Sequence, residues 1–334
     1  MSAQELLAKL QIESALIIDD AYDEVPHPED LSLDADAWSN FFDDVGEDKK
    51  HLKSAFPNYL DLSAEQLRAS PEFVNAVWKL KGTIRSELWE SLFKAYQMSV
   101  AADREFLNGL GKSLQALGLK VQTNGRQKPD KPSGAGVVFV DLYLGAAQTD
   151  PDMDRSLELL QQLVAGREVD PPIVILMSRS NTLEDKKGEF RDKAKLLSTF
   201  FRVCKKDDLK DPAFLERALA RLARHYPDAR LVSNFVQSWE QGLKKAADSF
   251  LIGIRRLDLS DYAQTRQVML NGEGQTLGSY LLDVFDRVLQ HTVLGQFWGI
   301  GHDLEHTLHQ AHGVVVSIEL RKRGINRICG HGPP

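Results

Sequence analysis

The stretch ALIIDD, Ala15 to Asp20, is an apolar run rich in β-branched residues that stops at two carboxylates. A short continuous apolar segment bounded by polar residues reads as a strand buried on both faces. Adjacent acids at its end repel one another unless a cation or a proton lies between them. Asp19 and Asp20 therefore ask for a partner, and candidates stand at the ends of similar runs elsewhere in the chain.

Three more runs have the same character: Val137 to Val140, Ile173 to Met177 and Thr199 to Cys204. A weaker fifth, Leu119 to Thr123, alternates and follows Gly118. Helical patterns over Asp154 to Ala165 and Leu183 to Leu197 separate the later runs, and alternating strands and helices predict a parallel sheet wrapped by helices. The interval from Asp20 to Val137 is too long for one crossover helix and one strand. It carries a helical stripe from Pro71 to Val100 (Phe73, Val77, Leu80, Ile84, Leu88, Leu92, Tyr96) and a second helix over Ala102 to Leu117 that Gly118 is suited to end. An inserted helical element over about 30–117 is expected. Asn124 to Gly136 (NGRQKPDKPSGAG) reads as a mobile Gly/Pro-rich loop.

Beyond Pro212 the pattern is helical over Phe214 to Tyr226, Leu231 to Leu257 and Leu277 to Leu289. The expected organisation is a sheet domain over 1–226, a helical interaction or dimerisation unit over 227–312, and a loose tail over 313–334, with one short strand at Val314 to Leu320.

A chain of 334 residues, 43% hydrophobic and 27% charged, has ordinary globular composition. Its net charge of −7 argues against general nucleic-acid binding, which leaves a basic footprint. Two cysteines, Cys204 and Cys329, build no disulfide framework. MSAQELLAKL lacks the build of a secretory signal, and no apolar stretch approaches membrane-spanning length, so a cytoplasmic protein without a membrane partner is expected.

In an open parallel sheet, ligands bind beyond the carboxyl ends of the strands. Those ends supply Asp19 and Asp20, Asp141, Ser178, and Lys205 followed by Lys206. Three acids, a hydroxyl and a lysine on one rim suit Mg²⁺, a hard cation that takes oxygen ligands, beside a group that accepts phosphoryl.

The ordered segments IIDDAYD, VVFVDLYLG, PPIVILMSRS and FFRVCKKDDL resemble the receiver domain of two-component response regulators. The resemblance covers about Ala15 to Val25 and Leu119 to His225. It implies an α/β fold, a flavodoxin-like doubly wound parallel five-stranded sheet with a helical insertion after the first strand. It implies Asp19 and Asp20 as Mg²⁺ acids, with Asp20 the direct ligand, and Asp141 as phosphoacceptor and ligand. The backbone carbonyl of Tyr143 completes the metal shell, Ser178 bonds a phosphoryl oxygen, and Lys205, with Lys206 as the alternative, pairs with the acyl phosphate. It further implies a histidine kinase as partner, self-phosphorylation and autodephosphorylation rather than enzymatic turnover, and either a downstream effector or service as a phosphate sink. The DLYLG and KKDDL segments are similar to large insertion-bearing receivers of bacterial conflict and phage-defence operons.

Two other readings have distinct signatures. A Mg²⁺-dependent phosphohydrolase of the haloacid-dehalogenase type needs a second acid two residues after the nucleophile, where this chain has Tyr143. A degenerate receiver acting only as a protein-binding module would bind no metal. The run HDLEHTLHQAH holds His302, His306, His309 and His312, and His302, His306 and His312 keep a spacing similar to that of zinc proteases. Asp303 replaces the Glu base and His309 replaces the Gly of that motif, so a polar helix is the expected reading.

Overall fold

The computed structural model describes residues 1–31, 35–127, 134–167, 170–180, 183–267, 274 and 276–292. The chain forms two compact units, Met1–Tyr226 and Pro227–Pro334. The His302 to His312 segment, the expected strand at Val314 to Leu320 and the tail lie outside the described residues.

The first unit opens with α1 (Ala3–Lys9) and β1 (Ser14–Ile18). It continues through α2 (Ala35–Asp44), α3 (Lys49–Ala55), α4 (Ala64–Ala69), α5 (Pro71–Lys79) and α6 (Ser86–Ala116). Then follow β2 (Lys120–Asn124), β3 (Val137–Asp141), α7 (Asp150–Val164), β4 (Ile173–Ser178), α8 (Leu183–Lys193), β5 (Phe201–Lys205) and α9 (Pro212–Arg255). All strand pairs are parallel, in the order β2-β1-β3-β4-β5. That is the order of flavodoxin-like folds, whose switch point lies between β1 and β3.

The central strands β3 and β4 are buried at every position, as an all-parallel sheet covered on both faces requires. Leu16, Ile18, Val138, Val140, Val174 and Leu176 form one core with Met153, Leu157, Leu160 and Leu163 of α7 and Phe190 of α8. The residues alternating with them, among them Ile17, Phe139 and Ile175, are buried as well. Register then fixes the rim: Ile18 pairs with Val140, Val140 with Leu176, and Leu176 with Val203. Asp19 and Asp141 thus each begin the next row beyond the same line of apolar residues.

The connection from β1 to β2 builds a separate aromatic core around Trp38, Phe41, Phe73, Val77, Trp89 and Phe93. Its helices part company with the sequence pattern at one place. The stripe expected to be continuous from Pro71 to Val100 breaks at Leu80–Arg85, where Gly82 takes φ +80°, a conformation side chains resist. The break expected near Ala102 is absent, because MSVAADRE offers no such residue, and α6 runs for 31 residues. Its first half enters the aromatic core through Leu88, Trp89, Leu92 and Phe93, and its second half, with Phe106, Leu107, Leu110 and Leu114 buried, packs against β2.

The break expected between Tyr226 and Leu231 does not form either. Pro227 lies inside α9, where it removes one amide donor while helical pattern continues on both sides. In the second unit α10 (Leu259–Thr265) follows, and a helix occupies 277–292. Among the described residues no helix is long and apolar enough to cross a membrane.

Candidate functional site

The rim of the sheet brings together Asp19, Asp20, Asp141, Ser178 and Lys206. Asp19 is fully buried after β1, and its Oδ1 accepts from the Ala21 amide at 3.1 Å. Asp141 ends β3, almost fully buried, and its Oδ1 accepts from the Tyr143 amide at 3.4 Å. Lys206 Nζ sits between the two, 2.7 Å from Asp19 Oδ2 and 2.5 Å from Asp141 Oδ2. Ser178, buried at the end of β4, accepts from the Ser180 amide at 3.1 Å. Carboxylate oxygens of Asp19, Asp20 and Asp141 all lie within 4.8 Å of one another, and the three can hold a metal ion.

Lys205 does not join this group. It pairs in register with Ser178 and its side chain is exposed, whereas Cys204 and Lys206 on either side are buried. β5 ends at Lys205, and Lys206, the first residue beyond the strand, is the one whose ammonium turns into the site. The ammonium that the sequence aligned at Lys205 is supplied by Lys206, whose amide also donates to the Ser178 carbonyl at 3.0 Å.

A second buried cation serves the other acids. Arg126, expected in a mobile loop, follows the end of β2, and β2 pairs with β1 next to Asp19. Its guanidinium lies 3.2 Å from Asp20 Oδ2, 3.0 Å from Asp23 Oδ2 and 2.7 Å from both oxygens of Asp30. Its amide donates to Asp23 Oδ1 at 2.9 Å. The preceding Gly125 permits that approach, since a Cβ there would fall 1.9 Å from Asp23 Oδ1. Gly145, in the DLYLG turn, is required likewise: its Cβ would fall 2.1 Å from the buried Asp152 carboxylate, which caps α7 through the Thr149 amide.

Above the rim lies a cavity of about 330 Å³, floored by Asp20, Asp141, Ser178 and Lys206 and walled by Leu92, Tyr96, Val100 and Asp103 of α6. Tyr143 and Arg179 line it too. The Tyr96 hydroxyl is buried with no hydrogen-bond partner among the described residues. Two neighbouring residues of α6 grip opposite sides of the site. Asp103 Oδ1 stands 2.6 Å from Arg179 and 4.0 Å from Lys206. Arg104 donates to the Ala21 carbonyl at 2.8 Å and the Asp23 carbonyl at 3.1 Å, on the acid side.

These charges are strongly interdependent. Burial pushes the Asp20 carboxyl up to about 8, with Asp19 adding to the shift and Arg126 opposing it. Burial likewise pushes Asp141 up to about 7, Lys206 opposing and Asp19 adding. Desolvation works against the Lys206 charge, but Asp141 and Asp19 outweigh it and hold the ammonium above the ordinary lysine range. Crowded carboxylates that resist ionisation are the electrostatic mark of a site built for more positive charge than its resident side chains provide.

No protein-family model matches the sequence, and no curated protein or solved structure matches it either. Function must be argued from the rim itself. Of the groups around it, Asp23, Asp30, Arg126, Asp103 and Arg179 were not singled out from sequence. Arg126 left one usable signal: its Gly-Arg pair immediately follows a strand that neighbours β1.

Proposed function

We propose that this chain is a phosphoacceptor receiver of a two-component-type pathway, in which Asp141 takes a phosphoryl group from a histidine kinase. The observation that carries the reading is the placement of Asp141, with Lys206 Nζ 2.5 Å from its Oδ2 and two further acids alongside, on the floor of a cavity at the carboxyl ends of the strands. Asp141 attacks the phosphorus of a phosphorylated imidazole. A P–O bond to its carboxylate forms as the P–N bond breaks, the electron pair leaves with the nitrogen, and the product is an aspartyl phosphate. Lys206 stabilises charge on the phosphoryl oxygens, and Ser178, which lines the same cavity, binds one of them through its hydroxyl.

The donor set fits Mg²⁺: three carboxylates in mutual reach, oxygen only, in a group where the five acids Asp19, Asp20, Asp23, Asp30 and Asp141 share the two cations Lys206 and Arg126. Asp19, Asp20, Asp141 and the Tyr143 carbonyl would hold it, and when bound it neutralises charge on the transferring group. The helices between β1 and β2, with a core of their own, support reading them as an insertion into a flavodoxin-like receiver. Exposed Leu231, Val236, Trp239, Leu251 and Ile252 on the second unit support its use as a homodimer or effector interface. A role in phage defence, as relay or phosphate sink, is part of the same proposal.

The test is intact-mass analysis after incubation with Mg²⁺ and a small acyl phosphate, comparing the wild-type chain with Asp141→Ala. A labile phosphate-sized adduct that disappears with Asp141 or with chelator is expected. No adduct from donor or kinase, together with no Mg²⁺ binding, would leave only a protein-binding module. Steady release of many phosphates per chain would favour a phosphohydrolase instead.

A further inference from the structure

Arg179 is the residue after Ser178, lines the cavity over Asp141, and is parked on Asp103 of α6 with 44% of its side chain exposed. Asp103 thus holds Arg179 directly and stands 4.0 Å from Lys206. We propose that Arg179 is a second cationic ligand of the phosphoryl group, and that its transfer from Asp103 to that group unpins α6.

The argument is one of competition and rests on the receiver reading. A phosphoryl on Asp141 is a stronger, multiply charged acceptor than a lone carboxylate, and a guanidinium forks onto its oxygens. Its arrival draws Arg179 and Lys206 inward and leaves Asp103 as surplus negative charge facing new negative charge. Arg104, next along α6, keeps its hold on the Ala21 and Asp23 carbonyls, so release is confined to one side of the helix. The region that senses the change is the half of α6 before Asp103, which carries Leu92 and Phe93 into the aromatic core. The first structural response to phosphorylation is thereby assigned to the helices between β1 and β2.

Two readouts separate this from a structural role. Arg179 is exposed enough for replacement to spare the fold, which thermal melts would verify. Adduct formation by Arg179→Gln should slow at least about tenfold, as loss of a charge-assisted bond implies, and Arg179→Lys should recover part of it. Asp103→Asn should speed formation by up to about fivefold, the ceiling that a partly exposed pair sets. Hydrogen exchange across 90–103 should rise by at least about threefold on phosphorylation of the wild type, and should already be raised in Asp103→Asn without donor. An adduct on the wild type with unchanged exchange in α6, or Arg179→Gln reacting at the wild-type rate, overturns this inference while the receiver reading stands. No adduct on the wild type overturns both.

Discussion

The floor of the site and its wall are built by different means. The floor consists of strand ends: the sheet register places Asp19 and Asp141 in the row directly beyond Ile18, Val140 and Leu176, and Ser178 follows one residue further along β4, after Met177. The wall consists of α6 and the loops after β1, β2 and β4, held by side-chain ion pairs between residues up to 106 positions apart. A floor set by backbone hydrogen bonds is rigid, and its chemistry is set by which residue ends each strand. A wall set by ion pairs is held by interactions whose strength depends on every other charge in the cavity, and it can respond to a charge placed on the floor.

Substitution at each cation sharpens that contrast. Lys206→Met, on the floor, is expected to slow phosphorylation of Asp141 by about a hundredfold or more, as loss of a preorganised charge does, while Lys205→Met changes the rate less than about twofold. Rates from intact mass at fixed donor concentration separate the two neighbours, and equal losses would show that both ammoniums serve Asp141. Arg126→Met, in the wall, leaves Asp20, Asp23 and Asp30 without their shared partner. With a side chain only 3% exposed it should cost about 3–5 kcal/mol of unfolding free energy, read from urea melts.

The last contrast is a pH dependence, read as a small difference between two Mg²⁺-induced melting shifts. The Asp20 and Asp141 carboxyls titrate near 8 and 7 in the fold against 3.8 as the ordinary value. The folded chain therefore holds protons that the unfolded chain has lost, so the contribution of these two groups to stability is largest below about pH 4 and declines as pH rises toward 8. A divalent cation favours their ionised forms, and Mg²⁺ should raise the melting temperature more near pH 8 than near pH 5. An equal Mg²⁺ effect at both values would place the ion elsewhere.

This division also explains what was legible in the sequence. Asp19, Asp20, Asp141 and Ser178 stood out because apolar runs announce strands and the residue that stops a run is visible without knowing its neighbours. The pair Lys205 and Lys206 was ambiguous because a single residue of register decides which of two like side chains turns inward. Asp103 and Arg179 carried no local mark, and Arg126 only the glycine before it: each acquires its role from a partner brought close by a long connection, and ion pairs have no period along a chain. Helix ends were misplaced for a related reason. Apolar periodicity locates the buried face of α5 and α6 but does not show that Gly82 adopts positive φ, nor that α9 absorbs Pro227.

The length of α6 has a mechanical consequence. Asp103 lies 17 residues from Ser86 at the helix start. At 1.5 Å per residue that is an arm of about 26 Å. Pivoting by about 5° at the Arg104 grip sweeps the far end through about 2 Å, a distance on the scale of helix shifts that switch protein interfaces. A displacement of atomic size at one carboxylate is thereby magnified geometrically, and a surface remote from the chemistry can be the place where it is felt.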